Sequence, residues 1–175
     1  MFYFAYGSNM LTLRLQERVP SAVPNGRARL PGMGLRFHKR SIDGSGKASL
    51  APAPSGGAVW GVVYTMDPND VKALDEAEGR GDGYARRTLR VEVGTEEVDA
   101  LVYTARSTYV DDGLAPYDWY HALVLAGALE HDFPDPYVAL LRSVPTLRDP
   151  DTERRNRHAA LLHEAGYGHL LDANS

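Results

Sequence analysis

The order of apolar and polar positions divides the chain into a strand-rich first part and a helical last part. Residues 2–6 are aromatic or small and run into Gly7-Ser8-Asn9, after which 10–19 has helical spacing, so the beginning reads as strand, turn, helix. Pro20 and Pro24 interrupt, and short β-prone segments follow at 27–30, 34–38 and 48–51, with a loop over 42–47. Residues 58–65 (AVWGVVYT) have the composition of a buried strand. Asp67-Pro68-Asn69-Asp70 supplies an N-cap, a proline at the first helical position and an acidic first turn, which predicts a helix over 68–78 that Gly79 ends. A hairpin comes next, 84–93 and 98–104, turning near Gly94-Thr95-Glu96. Helices then take over: 116–131, with Tyr120, Leu123, Ala126 and Gly127 at helical spacing, then 136–144 and 151–165. Strands first and helices last predict an α+β fold, with no internal repeat and no low-complexity linker.

Composition narrows the classes. A chain of 175 residues is long enough for one domain with a sizeable core and short for two. Its 43 % hydrophobic and 24 % charged residues are those of a globular protein, and a net charge of -4 gives no reason to expect nucleic acid. Cysteine is absent, which removes thiol nucleophiles, disulfides and thiolate metal sites. The apolar runs 58–66 and 122–129 are far too short to cross a bilayer, and the beginning lacks the marks of a signal peptide. These features predict a cytoplasmic protein with no membrane anchor.

Several signatures fail on inspection. Gly44-Ser45-Gly46-Lys47 lacks the first glycine and the hydroxyl residue of a P-loop, Ala48 standing where Ser or Thr belongs. Gly79, Gly81 and Gly83 follow a helix and lead into a strand, the reverse of a dinucleotide fingerprint. His163-Glu164 and His169 are separated by Gly166 and Gly168 and cannot share a helical face, so no metal site is expected. There is no Gly-x-Ser-x-Gly elbow.

Two constellations remain. Tyr6-Gly7-Ser8-Asn9 joins the first strand to the next helix; Gly7 permits a close backbone approach, and the first N–H groups of the helix suit a carboxylate, although ordinary turn chemistry accounts for the same residues. Leu74-Asp75-Glu76-Ala77-Glu78-Gly79 places three acids in four positions. At about 100° per residue Glu78 falls near the stripe of Val71 and Leu74, facing inward, while Glu76 faces out. A carboxylate there meets burial, the negative end of a helix and a like charge, conditions that suit a general base. A pairing of Glu78 with Arg86, Arg87 or another cation, purely structural, is the alternative.

With both motifs in hand the sequence resembles the γ-glutamylcyclotransferase family, enzymes that convert γ-glutamyl amino acids to 5-oxoproline and a free amino acid. The segment Tyr3, Phe4, Ala5, Tyr6, Gly7, Ser8, Asn9 is similar to the family's substrate-binding loop. The run VWGVVY at 59–64 and LDEAEG at 74–79 follow in the family's order, and the family's catalytic glutamate matches Glu78. Tyr84, Tyr103 and Tyr120 match tyrosines that line the pocket in relatives. Tyr-Gly-Ser-Asn differs from the Tyr-Gly-Thr-Leu of the γ-glutamylamine branch and the Tyr-Gly-Ser-Leu of the glutathione-specific branch, which favours the branch acting on γ-glutamyl amino acids. The departure is the C-terminal helical extension, about 149–175.

The resemblance implies a small mixed β-sheet or barrel with flanking helices, a single unit over 1–175, and a small-molecule γ-glutamyl substrate. It implies no cofactor and no metal, and it leaves a homodimer open. Glu78 would be general acid and base for lactam closure, with the loop and the tyrosines around the substrate. Two other readings stand beside it: a non-catalytic member of the fold that binds a small ligand, and a specialised enzyme that removes a γ-glutamyl protecting group from a biosynthetic intermediate.

Overall fold

In the computed structural model the described residues are 1–53, 56–78 and 83–172. Strands β1 (Phe2–Ala5), β2 (Val23–Pro31), β5 (Ala58–Thr65), β6 (Tyr84–Val93) and β7 (Glu96–Ala105) close into a barrel in the order β1-β5-β2-β6-β7. Antiparallel pairs make the barrel except at its seam, where β1 runs parallel to β7 at Tyr3 and Leu101. The most apolar segment, β5, lies between β1 and β2, which explains its composition: both its edges are paired, and Val59, Val62, Val63 and Tyr64 are fully buried. Strands β3 (Met33–Arg40) and β4 (Gly46–Pro52) form a separate hairpin inserted between β2 and β5.

The helices cover one side of the barrel. The long helix over 116–131 is α3 (Asp118–Glu130), and it is apolar on nearly every face because the Ser8–Met10 turn, α4 (Asp135–Arg142), α5 (Thr152–Glu164) and α6 (His169–Asp172) all pack on it. Gly127 of α3 lies so close to that turn that a Cβ there would sit 2.5 Å from Met10 Cβ and 2.6 Å from the Leu11 nitrogen.

The observed bounds depart from the sequence pattern in instructive ways. Instead of one helix over 10–19 there is a 3-10 turn, Ser8–Met10, then an extended Leu11, then the short α1 (Thr12–Gln16). The 68–78 helix is a 3-10 turn, Pro68–Asp70, capped by the Asp67 side chain, leading into α2 (Val71–Ala77), with Glu78 as its C-cap. Gly79, expected to end it, lies outside the described residues. Gly46 and Lys47, expected in a loop, belong to β4, and β2 runs from Val23 rather than from 27, because pairing with β5 carries it through Pro24 and past an irregularity before Gly26.

The segment from 149 onward is tied to α3 by ion pairs. Arg154 binds Asp149 through two nitrogens, at 2.6 and 2.7 Å, while Asp149 also accepts the Trp119 indole N–H at 2.6 Å. Burial pushes the Asp149 carboxyl up, but these donors and the Asp151 N–H outweigh it and bring the group down to about 2. Arg155 reaches Asp118 at 2.7 Å. Among the described residues no helix is long and apolar enough to cross a membrane.

Candidate active site

The Ser8–Met10 turn, the end of α2, the mouth of the β6–β7 hairpin and α3 meet around a narrow hollow of about 30 Å³. Tyr3, Tyr6, Gly7, Ser8, Asn9, Glu78, Tyr84, Tyr103 and Tyr120 all line it, together with Ala48 of β4. Phe4 and Ala5, expected with them, do not. Both are wholly buried within β1, with the Phe4 ring lying over Gly61 of β5, where a side chain would collide with it. A wider cleft of about 580 Å³ adjoins the hollow and shares Ser8, Glu78, Tyr84 and Tyr120 with it.

Glu78 sits at the junction of the two spaces, its side chain 17 % exposed, while Glu76 is on the exposed face. The inward placement expected from helical spacing is therefore observed. The buried Asn9 amide donates to Glu78 Oε1 at 2.7 Å and to the Tyr3 hydroxyl at 3.0 Å, and its oxygen accepts from Arg18 at 2.8 Å. Both N–H groups of that amide and one lone pair of its oxygen are fixed by three different neighbours. Arg18 also lies 3.7 Å from Glu78 Oε1, so the cation beside the glutamate is Arg18 rather than Arg86 or Arg87. Arg86 instead pairs with Asp75 at 3.2 Å, and Asp75 accepts from the Tyr103 hydroxyl at 2.6 Å. Asp75 is thereby turned away from the role of a bare like charge beside Glu78.

The tyrosines form a connected frame. Tyr6 donates to the Tyr103 carbonyl at 2.5 Å, Tyr84 donates to the Ala48 carbonyl at 2.6 Å, and Tyr120 accepts from the Ala48 N–H at 3.1 Å. Both backbone groups of Ala48 are thus pinned, which holds the β3–β4 hairpin over the hollow. Gly7 is where the wall is thinnest: a Cβ there would meet Ala48 Cβ at 3.0 Å and the Tyr120 hydroxyl at 3.2 Å. Burial, followed by the nearby Glu78 carboxylate, holds the Tyr3 and Tyr6 hydroxyls well above the ordinary phenol range. Burial is also the leading cause for Tyr84, Tyr103 and Tyr120, all shifted up. All five phenols stay protonated and cannot take a proton near neutrality; Tyr6, Tyr84 and Tyr103 already donate theirs to the Tyr103 carbonyl, the Ala48 carbonyl and Asp75. Glu78 is the one carboxylate among the described residues that line the hollow.

Several residues of the wider cleft have no counterpart in the sequence reading. Arg14, fully inside the protein, donates to Ser8 Oγ at 3.0 Å; burial, then the neighbouring Arg18, presses its guanidinium down to about 9, still charged at neutrality. Its other end lies 3.4 Å from His158 Nδ1 of α5. Burial and the adjacent cations Arg14 and Lys47 hold that imidazole down to about 3, so it is neutral, with Nδ1 accepting from Arg14. The ring stacks on Trp119 at 3.8 Å, and Trp119 walls the cleft. Lys47 binds Asp43 at 2.7 Å and lies over the Trp119 and Tyr120 rings. The spacing of Arg14 and Arg18, four apart after the Ser8–Asn9 turn, was the one available sign of this shell; His158 and Lys39 gave none.

The chain matches the family described as Gamma-glutamyl cyclotransferase, AIG2-like, over residues 3–121. It is 33 % identical over 147 residues to the Gamma-glutamylcyclotransferase of Bos taurus, covering 81 % of this chain and 77 % of that protein. With the Homo sapiens protein of the same name it shares 34 % over 149 residues, at the same coverage. Among solved structures, a Gamma-glutamyl cyclotransferase superposes with a TM-score of 0.80 at 28 % identity, covering 90 % of this chain and 96 % of the other. An uncharacterized protein from Homo sapiens gives 0.79 at 29 %, with 89 % and 95 % covered. By the family match and by its likeness to these relatives, the chain belongs to the γ-glutamyl cyclotransferase, AIG2-like family.

Proposed function

We propose that the protein is a γ-glutamylcyclotransferase in which Glu78 carries the proton. The observation that supports this most is Glu78, the one carboxylate among the described residues that line the tyrosine hollow, set where that hollow meets a wider cleft, with Oε1 held by Asn9. Among the described residues Oε2 has no hydrogen-bond partner, which leaves it to face a substrate.

The substrate brings its own nucleophile. Its α-ammonium gives a proton to Glu78, the freed amine attacks the γ-carbonyl carbon of the same glutamyl unit, and a carbon–nitrogen bond closes the five-membered ring. The original amide bond then breaks as the departing nitrogen takes that proton from Glu78, and the second proton of the attacking nitrogen follows the same route, so the amine leaves as an ammonium ion. One amide replaces another and two protons pass from the α-nitrogen to the departing nitrogen, so atoms and charge balance with no oxidant, reductant or cofactor. Folding the flexible glutamyl chain into a near-attack shape contributes several kcal/mol of the acceleration. The turn at Gly7, Ser8 and Asn9 would receive the α-carboxylate, supported by the Arg14 charge behind Ser8. Tyr3, Tyr6, Tyr84, Tyr103 and Tyr120 keep the glutamyl unit bent and away from water. Every group in this scheme comes from one copy of the chain. We place the enzyme in the cytoplasm, as a chain without cysteine has no use for an oxidising compartment.

The test is Glu78→Gln, whose amide oxygen can still accept from Asn9. It should fold as the parent does and lose about 10²- to 10⁴-fold in 5-oxoproline release from γ-glutamyl-alanine. Glu76→Gln, on the exposed face, should stay within about twofold. Full activity in the first variant removes Glu78 from the proton relay.

A further inference from the structure

The wider cleft has an excess of cations whose neutralisation is uneven. Arg14, Arg18, Lys39, Arg40 and Lys47 line it against Glu76 and Glu78. Arg18 is engaged by Asn9 and Glu78, Lys47 by Asp43, Arg40 by Asp111, and Arg14 by Ser8. Lys39, on β3, is different: it is 8 % exposed, and among the described residues no hydrogen-bond acceptor or carboxylate lies within bonding distance of its ammonium. Its stem is built into the wall. The ammonium lies 4.6 Å from the centre of the Tyr84 ring, and Gly83 leaves the room for it, since a Cβ at that glycine would stand 2.4 Å from Lys39 Cε. The carboxylates that act on it, Glu78 and Asp43, are each held by another cation. Burial pulls Lys39 below the usual lysine range, and the Glu78 and Asp43 carboxylates oppose that pull only in part.

Ser8, Glu78, Tyr84 and Tyr120 border both spaces, so a glutamyl unit turned toward the tyrosines at Glu78 leaves the departing amine pointing along the cationic cleft. We propose that Lys39 is a specificity-determining residue whose ammonium pairs with a carboxylate on the departing amine, making conjugates of amino acids better substrates than those of neutral or cationic amines. The inference rests on the cyclotransferase reading. It also weighs against a polyamine-like or aminoglycoside-like departing group, which would bring positive charge to a cleft that already has an uncompensated one.

The experiment compares three substrates that share the γ-glutamyl unit: γ-glutamyl-alanine, γ-glutamyl-ethylamide, which is the same less the carboxylate, and γ-glutamyl-1,4-diaminobutane, which adds a positive charge. The parent should rank them in that order by kcat/KM. Lys39→Gln should lower the alanine-to-ethylamide ratio by about tenfold to a hundredfold, mostly through KM, as for loss of a charge-assisted hydrogen bond. Lys39→Arg should restore the ratio. Lys39→Met, which keeps an apolar stem over Tyr84, should behave as Gln does and covers the case in which Gln disturbs the wall. A purely structural lysine would lower all three substrates alike and leave the ratio unchanged, and that result overturns the proposal, as does a parent that prefers the diamine conjugate. A parent that releases 5-oxoproline from none of the three overturns the cyclotransferase reading, and this inference falls with it.

Discussion

Replacing Asn9 with aspartate changes one nitrogen to oxygen at a place where that nitrogen donates twice, to Glu78 at 2.7 Å and to Tyr3 at 3.0 Å. The shape is conserved and the charge is not. Two unit charges about 4 Å apart repel by about 4 kcal/mol at the effective dielectric of a partly buried site, and Asn9 is closer to Glu78 than that. Arg18, bound to Asn9 at 2.8 Å, offsets part of the repulsion. What remains is enough for the two carboxyl groups to share one proton at neutral pH, as paired acids do. A glutamate that shares a proton is a poor base, so Asn9→Asp should lose at least about 100-fold in kcat/KM for γ-glutamyl-alanine at pH 7. It should then recover about tenfold per pH unit toward pH 9, as the shared proton leaves. Asn9→Ala supplies the control: it removes the amide's three hydrogen bonds, each worth about 1–3 kcal/mol, without adding a charge, and should show a smaller loss with no added slope. The assay is 5-oxoproline release between pH 6 and 9, with circular dichroism to confirm folding. An Asn9→Asp enzyme near parental activity with a parallel profile would refute the reasoning, for either Asn9 does not hold Glu78 or Glu78 does not carry the proton.

Two further outcomes concern the shell around the site. His158 is neutral in the fold, held down to about 3 from an ordinary 6.5, so below pH 6.5 the unfolded chain binds a proton that the folded one refuses. Stability should therefore fall as pH drops from 6.5 toward 3, by at most about 1.4 kcal/mol per pH unit and less where solvent screens the ring. Urea midpoints between pH 4 and 8 should show that decline in the parent and a flatter line in His158→Phe, which keeps the stacking on Trp119; equal slopes would refute the assignment. Gly127→Ala puts a methyl group 2.5 Å from Met10 Cβ and 2.6 Å from the Leu11 nitrogen, so the Ser8–Met10 turn must shift. Thermal melting should show a loss of about 1–3 kcal/mol despite the better helix propensity of alanine, with reduced turnover because the displaced turn carries Ser8 and Asn9; an unchanged melting point would refute the close packing.

The sequence by itself determined most of the elements and which of the acids at 75–78 faces inward. The apolar run at 58–65 has the composition of a buried strand and is one, and the stripe of Val71 and Leu74 set the helical phase that puts Glu78 inward and Glu76 outward. It did not determine that the segment after Asn9 breaks at Leu11, because its apolar spacing suits a helix and only packing against α3 favours an extended residue there. Nor did it show which cation stands beside Glu78: Arg86 was near in sequence, but the barrel register directs it to Asp75 and brings Arg18 across from 60 positions away. Phe4 and Ala5 belong to the recognised loop by sequence and to the barrel wall in space, since strand pairing with β5 uses them before the turn begins. Lys39 and Trp119 come from distant segments to line one cleft, and His158 reaches the Trp119 ring only because α5 packs on α3. Periodicity records how each segment is buried. Which charges then face one another is a property of the closed chain, because electrostatic and hydrogen-bonding partners are set by distance in space and leave no period along the sequence.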